Sequence, residues 1–360
     1  MTRRKYIIIA TGGSGGHTVP ASVIAKSILD RGYEVTMTTD LKGKNLFDDI
    51  FPKGANIITM RLKSFLVGKI HNKVIRILVA GLYSVRMVLS MIVKRPDLVI
   101  SFGSYASFPT VLAGYLTGQN IVLHEQNAVL SNLNSFVLKL PKIKVKLFTS
   151  FKNTAGIPLN ITQHNVGMPV RKEFLKIKSK DRNENDDFNI LIVAGSQNSR
   201  FFMNDLVKLI AGITPNLRGK IHIRQAMKVD SRPIAKNIYN KAKVDVKFYE
   251  FFYDMPKQFQ WADLIIARAG AGIFEIVASK RTAVIIPISK SFGNHQKLNA
   301  SQIHKINGSA IFYEDTITQK VFNETMKKLL NHEKLKTIGN KTFDKIGHLV
   351  VDNFDKYLDL

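Results

Sequence analysis

Four glycines fall within five positions in the run Thr11-Gly12-Gly13-Ser14-Gly15-Gly16-His17. Glycine reaches backbone conformations closed to other residues and lets the chain approach a ligand without a side chain in the way. Between a strand and a helix, such a loop aims N–H groups and a helix dipole at an anion, which makes it a phosphate-cradle candidate. It is not a Walker loop, since no Lys-Ser or Lys-Thr follows, and Thr18 stands where G-x-G-x-x-G needs its third glycine. A histidine such as His17, at the mouth of the loop, is the side-chain type that can take or relay a proton near neutral pH. The plainer alternative is a tight turn with a structural histidine.

Three further polar groups recur where strands should end: Gly103-Ser104-Tyr105, His124-Glu125-Gln126-Asn127 and Gly195-Ser196-Gln197. In a parallel sheet, strand C-terminal ends gather at one edge, the ligand edge. Arg268 and Gly270-Ala271-Gly272 precede another helical stretch with Glu275 in its first turns. Amides there can face a diphosphate while the carboxylate accepts from ribose hydroxyls. The alternative for Glu275 is a simple match to the helix dipole.

The elements that must position these groups alternate. Apolar runs at residues 5–10, 33–39, 96–101 and 120–125 predict strands, with a helix over 19–29 that Pro20 helps to start. After a charged stretch the alternation restarts with strands at 189–195, 220–225, 243–249, 262–270 and 281–288. Helices follow at 318–330 and 350–358. This pattern predicts an α/β chain of two doubly wound parallel-sheet domains. The first covers 1–171, a surface linker 172–188, the second 189–345, and a terminal helix over 346–360 crosses back to the first.

At 360 residues the chain is long enough for two domains, each with a core of its own. With no cysteine it has no disulfide framework, thiol nucleophile or thiolate metal site. No Asp-x-Asp pair is placed to hold a metal, because Asp186-Asp187 lies in the linker. The composition excludes a disordered or polytopic membrane protein.

The 53 basic and 27 acidic residues give a net charge of +26, which points to a polyanionic partner, unless lysine-rich coding bias alone accounts for it. From Arg61 to Arg95 there are eight basic residues (Arg61, Lys63, Lys69, Lys73, Arg76, Arg86, Lys94, Arg95) and no acidic one. They are interleaved with large apolar side chains. Arg76 and Arg86 sit inside the apolar run, so the segment reads as a helix lying on an anionic bilayer surface rather than crossing it. A helix packed on the sheet is the alternative. Residues 139–148 extend the same basic apron.

In order and approximate spacing, GGSGGH, GSYASFP, HEQN, GMPVR, GSQ, EFFYDM, RAGAGIFE and HQKLNA resemble the MurG family of peptidoglycan N-acetylglucosaminyltransferases, from Thr11 to Ala300. The resemblance implies a GT-B fold, two Rossmann-like domains facing a cleft. It implies transfer of GlcNAc from UDP-GlcNAc to lipid I, undecaprenyl-pyrophosphoryl-MurNAc-pentapeptide, at the cytoplasmic face of the cell (inner) membrane. It assigns Ser14, Gly15, Gly16, Asn127, Arg171, Ser196, Phe252, Ala271, Gly272, Ile273, Phe274, Glu275 and Gln296 to the sugar-nucleotide site, with Glu275 at ribose, Gln296 at the GlcNAc hydroxyls and the Phe252 backbone at uracil. His17 matches the family's catalytically important histidine, and its role as base is inferred from its chemistry.

The chain departs from the family pattern at Met168, Ala194 and Asn198. It is also one residue shorter than the family between Arg268 and Glu275. Inverting displacement of UDP needs a base and fixed positive potential at the leaving phosphate, here His17 with loop amides and Arg171, and no cofactor or obligatory metal. Two alternatives stay open. One is another GT-B-like UDP-GlcNAc enzyme, a lipid glycosyltransferase or epimerase. The other is a nucleic-acid-binding protein, for which only the charge speaks and no recognition motif is present.

Overall fold

The computed structural model describes residues 4–63, 70–178, 180, 182–183, 186–194, 199–218, 220–289, 294–307, 310–351 and 354–358. It divides into two compact units, Met1–Arg171 with Val351–Leu360, and Lys172–Val350.

The first unit is built on seven strands: β1 (Tyr6–Ala10), β2 (Glu34–Asp40), β3 (Asn56–Met60), β4 (Leu98–Ser101), β5 (Ile121–Glu125), β6 (Val145–Thr149) and β7 (Gln163–Asn165). They lie in the order β3-β2-β1-β4-β5-β6-β7, all parallel. β1 is apolar throughout because helices cover both faces of a parallel sheet. Its alternate side chains serve opposite cores. Ile7 and Ile9 pack with Ala21 and Ile24 of α1 (Gly15–Asp30), while Tyr6 and Ile8 pack with Met87 and Met91 further along the chain.

α1 begins at Gly15, so Pro20 lies inside the helix rather than at its start. The last two glycines of the loop therefore form its first turn, and His17 is the third helical residue. α2 (Leu41–Phe47) is capped by Asp40, whose carboxylate accepts from the Gly43 amide. α3 (Ile70–Val93) carries the basic apolar segment and packs on α4 (Phe108–Leu116). Ala80, Ser84, Met87 and Met91 form its buried stripe, whereas Val74, Ile75, Ile77, Leu78, Leu82, Val85, Leu89, Ile92 and Val93 are exposed. By length and composition, α3 is the one helix among the described residues able to cross a membrane, over Asn72–Val93.

Within residues 139–148, Lys139, Lys142, Lys144 and Lys146 are all exposed, while the sheet strand Val145–Thr149 buries Leu147 and Phe148.

The second unit repeats the topology. After the short strand β8 (Met168–Pro169), its strands are β9 (Phe188–Val193), β10 (Ile221–Ala226), β11 (Asp245–Tyr249), β12 (Leu264–Ala267), β13 (Thr282–Ile285) and β14 (Ala310–Ile311). Their order is β11-β10-β9-β12-β13-β14, again parallel. In each unit the strand order reverses beside its first strand, between β1 and β4 and between β9 and β12, which is where doubly wound sheets bind ligands.

The expected surface linker is instead part of the second unit. Lys172–Leu175 is helical, and Phe174 is fully buried with its ring centroid 4.9 Å from that of Phe259. Arg182 pairs with Asp263 at 2.9 Å, and Lys180 joins the same carboxylate. Burial pulls the Lys180 ammonium down to about 8 against the pull of Asp263. The charge run hid the apolar anchors Phe174 and Ile177. The expected terminal helix is also replaced: the long helix ends at Ile346, and short turns follow at Gly347–Leu349 and Phe354–Tyr357. Phe354 is fully buried in the core of the first unit.

Candidate active site

In the first unit, the chain leaves β1 through Gly12 and Gly13. A Cβ on Gly12 would lie 2.5 Å from the Ala106 Cβ, and Gly13 has φ +78°, so both positions require glycine. The Gly13 amide donates to Asp40 Oδ1 at 2.9 Å and the Ser14 amide to the Gly12 carbonyl at 3.0 Å. Those two amides are thus engaged within the loop. Helix geometry leaves the Gly15 and Gly16 amides without an intrahelical acceptor, and the hydroxyl of Ser14, the N-cap, makes no capping bond. The anion-directed set narrows to Ser14, Gly15 and Gly16.

His17 Nδ1 lies 2.6 Å from the Phe102 carbonyl oxygen. A carbonyl only accepts, so Nδ1 carries a proton, and whenever the ring is neutral its lone pair falls on Nε2, the form a general base needs. Gln126 Nε2 donates to the same oxygen at 2.6 Å. The loop that follows has Gly103 at φ +76° and Ser104 at φ +74°, ψ +149°. That region is almost reserved for glycine, so Ser104 stores strain at the strand end beside His17. Tyr105 donates its phenol to Asp40 Oδ2, and burial followed by the Asp40 carboxylate raises its pKa above the usual phenol value.

The His-Glu-Gln-Asn run is mostly scaffold. His124 is fully buried and donates from Nε2 to the Gly167 carbonyl, 3.0 Å away; burial pulls its pKa down to about 4, so it is neutral. Only donation is compatible with a carbonyl partner. Glu125, also fully buried, accepts from the Ser131 amide at 2.8 Å, Asn134 Nδ2 at 2.9 Å, the Asn127 amide at 3.1 Å and Asn127 Nδ2 at 3.2 Å. Of the four residues, only Asn127 is left half-buried at the strand edge, its amide oriented by Glu125. Arg171, half-buried, ends the first stretch of this unit.

In the second unit, Ser196 lies outside the described residues. The Phe252 ring is buried against Tyr249, at 4.9 Å between centroids. Ala271 and Gly272 lead into the helix Ile273–Ala278. A Cβ on Gly270 or Gly272 would meet nothing within 4 Å, and neither has a positive φ, so neither backbone angle nor neighbours demand glycine there. Gly272 is the N-cap of that helix, a position glycine suits. Ile273 and Phe274 are buried, which restricts them to backbone contact, while Glu275 is half-buried in the first turn. Gln296 Oε1 accepts from the Ile288 amide at 3.1 Å, which orients the side chain with Nε2 as its donor end.

Sequence reasoning named Arg268 and Glu125 without their supporting role and missed Asp40, Asn299 and Glu314, which hold these loops with them. Arg268 is internal: it donates to the Ile286 carbonyl at 2.9 Å, to Ser199 and to Glu314, and stacks 4.6 Å from the Phe202 ring centroid. Glu314 also accepts from the Ser289 amide at 3.2 Å, so one ion pair ties together the ends of β9, β12 and β13. Asn299 pins the Ala269 carbonyl at 3.0 Å. Asp40 and Glu125 do the equivalent work in the first unit. A charged residue closing a predicted strand was the available signal for both.

Residues 7–143 match the Glycosyltransferase family 28 N-terminal domain and residues 189–348 its C-terminal domain. The chain belongs to glycosyltransferase family 28. Within the family, it is 34% identical over 345 residues to the UDP-N-acetylglucosamine--N-acetylmuramyl-(pentapeptide) pyrophosphoryl-undecaprenol N-acetylglucosamine transferase of Wolbachia sp. subsp. Drosophila simulans (strain wRi), covering 95% of this chain and 94% of that one. The protein of the same name from Rickettsia bellii (strain RML369-C) is 29% identical, covering 97% and 98%. The crystal structure of Acinetobacter baumannii MurG superposes with a TM-score of 0.73 at 23% identity, over 99% of this chain and all of that one, and shares the GT-B fold. This family 28 glycosyltransferase thus has the two Rossmann-like, doubly wound domains that the sequence predicts.

Proposed function

We propose that the enzyme is an inverting N-acetylglucosaminyltransferase that moves GlcNAc from UDP-GlcNAc to the MurNAc 4-hydroxyl of lipid I, forming the lipid-linked disaccharide and UDP. One observation carries this reading: similarity runs along nearly the whole length of relatives named for that transfer, through both domains. The site geometry supports it. His17 Nε2 accepts the proton of the attacking hydroxyl, because the Phe102 carbonyl holds the other nitrogen protonated. The Ser14 to Gly16 turn, Asn127 and Arg171 serve the sugar and the departing diphosphate, where fixed dipoles stabilise developing charge.

In the second domain, the Ala271 to Phe274 backbone with Ser196 takes the diphosphate, Glu275 the ribose, the Phe252 backbone the uracil, and Gln296 Nε2 a GlcNAc hydroxyl. α3 rests its exposed apolar face and its Lys and Arg residues on an anionic bilayer, which keeps the enzyme peripheral at the cytoplasmic face where the polyprenyl acceptor is held. Its buried stripe argues against spanning, since crossing would strip Met87 and Met91 from the core. The test is acceptor-dependent UDP release. Purified enzyme with UDP-GlcNAc releases UDP on addition of lipid I in detergent; release that proceeds equally without lipid I contradicts the proposal.

A further inference from the structure

We propose that Asp40 is a positioning residue for the transfer reaction, locking the glycine loop and the Ser104–Tyr105 loop into one rigid wall on the acceptor side. This rests on the function proposed above. The Asp40 side chain is fully buried at the C-terminal end of β2, and its two oxygens engage three separate pieces of chain. Oδ1 accepts from the Gly43 amide at 2.8 Å and from the Gly13 amide at 2.9 Å, and Oδ2 accepts from the Tyr105 phenol.

Capping α2 requires only the Gly43 bond. The other two reach the loops that follow β1 and β4, the pair flanking the strand-order reversal where ligands bind. The fit is close on every side. A Cβ on Gly43 would lie 2.9 Å from Asp40 Oδ1, and one on Gly12 would lie 3.2 Å from it. The same loop holds Ser104 in its glycine-like conformation, which persists only where the surroundings over-determine it. A carboxylate has the two acceptor oxygens this bridge needs, with more than one lone-pair site on each. A lone helix cap would not need both.

The choice of variants separates capping from bridging. Asp40→Ser keeps a good N-cap for α2 but is too short to hold Gly13 and Tyr105 together. Asp40→Asn keeps an acceptor oxygen for both amides. Steady-state kinetics with UDP-GlcNAc and lipid I, run below the melting transition of each variant, should show the lipid I KM of Asp40→Ser raised about tenfold. Asp40→Asn should recover at least about a third of the original kcat/KM for lipid I.

Mere loss of folded enzyme lowers Vmax and moves neither KM. An unchanged lipid I KM in Asp40→Ser, or no recovery in Asp40→Asn, would each overturn the proposal. If Asp40→Ser fails to fold, Tyr105→Phe carries the test, and an unchanged lipid I KM there overturns the proposal too. Absence of transfer by the unaltered enzyme would instead refute the underlying function.

Discussion

The carbonyl oxygen of Phe102 decides which nitrogen of His17 can act as a base. By holding Nδ1 as a donor, it orients the imidazole, and under the proposed function Nε2 is the nitrogen that takes the proton of an incoming hydroxyl. General-base assistance of this kind is worth about 10² to 10⁴ in rate. His17→Ala should therefore lower kcat by at least about 100-fold while calorimetric binding of UDP stays within about twofold. A kcat within about fivefold of the unaltered enzyme would assign the base elsewhere. At this scale the sequence showed the reactive residues better than their supports. Glycine clusters and a neighbouring histidine announce themselves by spacing. Asp40 reaches Gly13 and Tyr105, 27 and 65 residues away, and Arg268 reaches Glu314, 46 away, so no local pattern could reveal those contacts, whereas the partners of Glu125 lie within nine residues of it.

Among the elements, α3 has two apolar faces with different fates. One stripe packs in the core and the other is left in solvent, an arrangement that marks an interaction surface. Basic residues near an anionic bilayer contribute about 1 kcal/mol each. Replacing Lys73, Arg76 and Arg86 by Glu should weaken sedimentation with phosphatidylglycerol vesicles on the order of 100-fold and leave UDP binding intact. Unchanged sedimentation would remove α3 from the membrane role.

A second element-level expectation concerns the opposite edge of the second sheet, where His222 bridges Asp245 at 2.5 Å and Asp187 at 3.0 Å. These hydrogen bonds, Asp245 first, raise its pKa above the ordinary histidine value. The stabilisation is then fully present below about pH 6.5 and fades as pH rises through the higher folded value. His222→Gln should lower the melting temperature at pH 6 and hardly change it at pH 9; equal losses at both would contradict the charge-based account.

The strands legible beforehand were those buried on both faces, such as β1, β5 and β12, because burial writes a continuous apolar run. β3, β6 and β7 were missed. β6 is masked by Lys144 and Lys146 at its exposed end, and β7 has only three polar residues, Gln163–Asn165.

For the whole molecule, the two units share one topology, and each gathers its polar groups at the C-terminal ends of the strands beside the order reversal. The fold class was legible because strand and helix periodicities alternate twice along the chain. Domain edges were less so, because Lys172, Glu173, Lys176 and Lys178 present their charge outward while Phe174 and Ile177 anchor the segment to the second unit. The net charge of +26 gains a physical use if the substrates are a nucleoside diphosphate sugar and a pyrophosphoryl lipid at an anionic surface.

The most direct measurement is the structure of the product. The enzyme is incubated with isotopically labelled UDP-GlcNAc and lipid I, the lipid fraction is isolated, and the new glycosidic linkage is read by NMR. A lipid-linked GlcNAc-MurNAc disaccharide with β-configuration, formed in equal amount to UDP, is the predicted result. An α-linkage, or free GlcNAc or an epimerised sugar with no label in the lipid fraction, would contradict it.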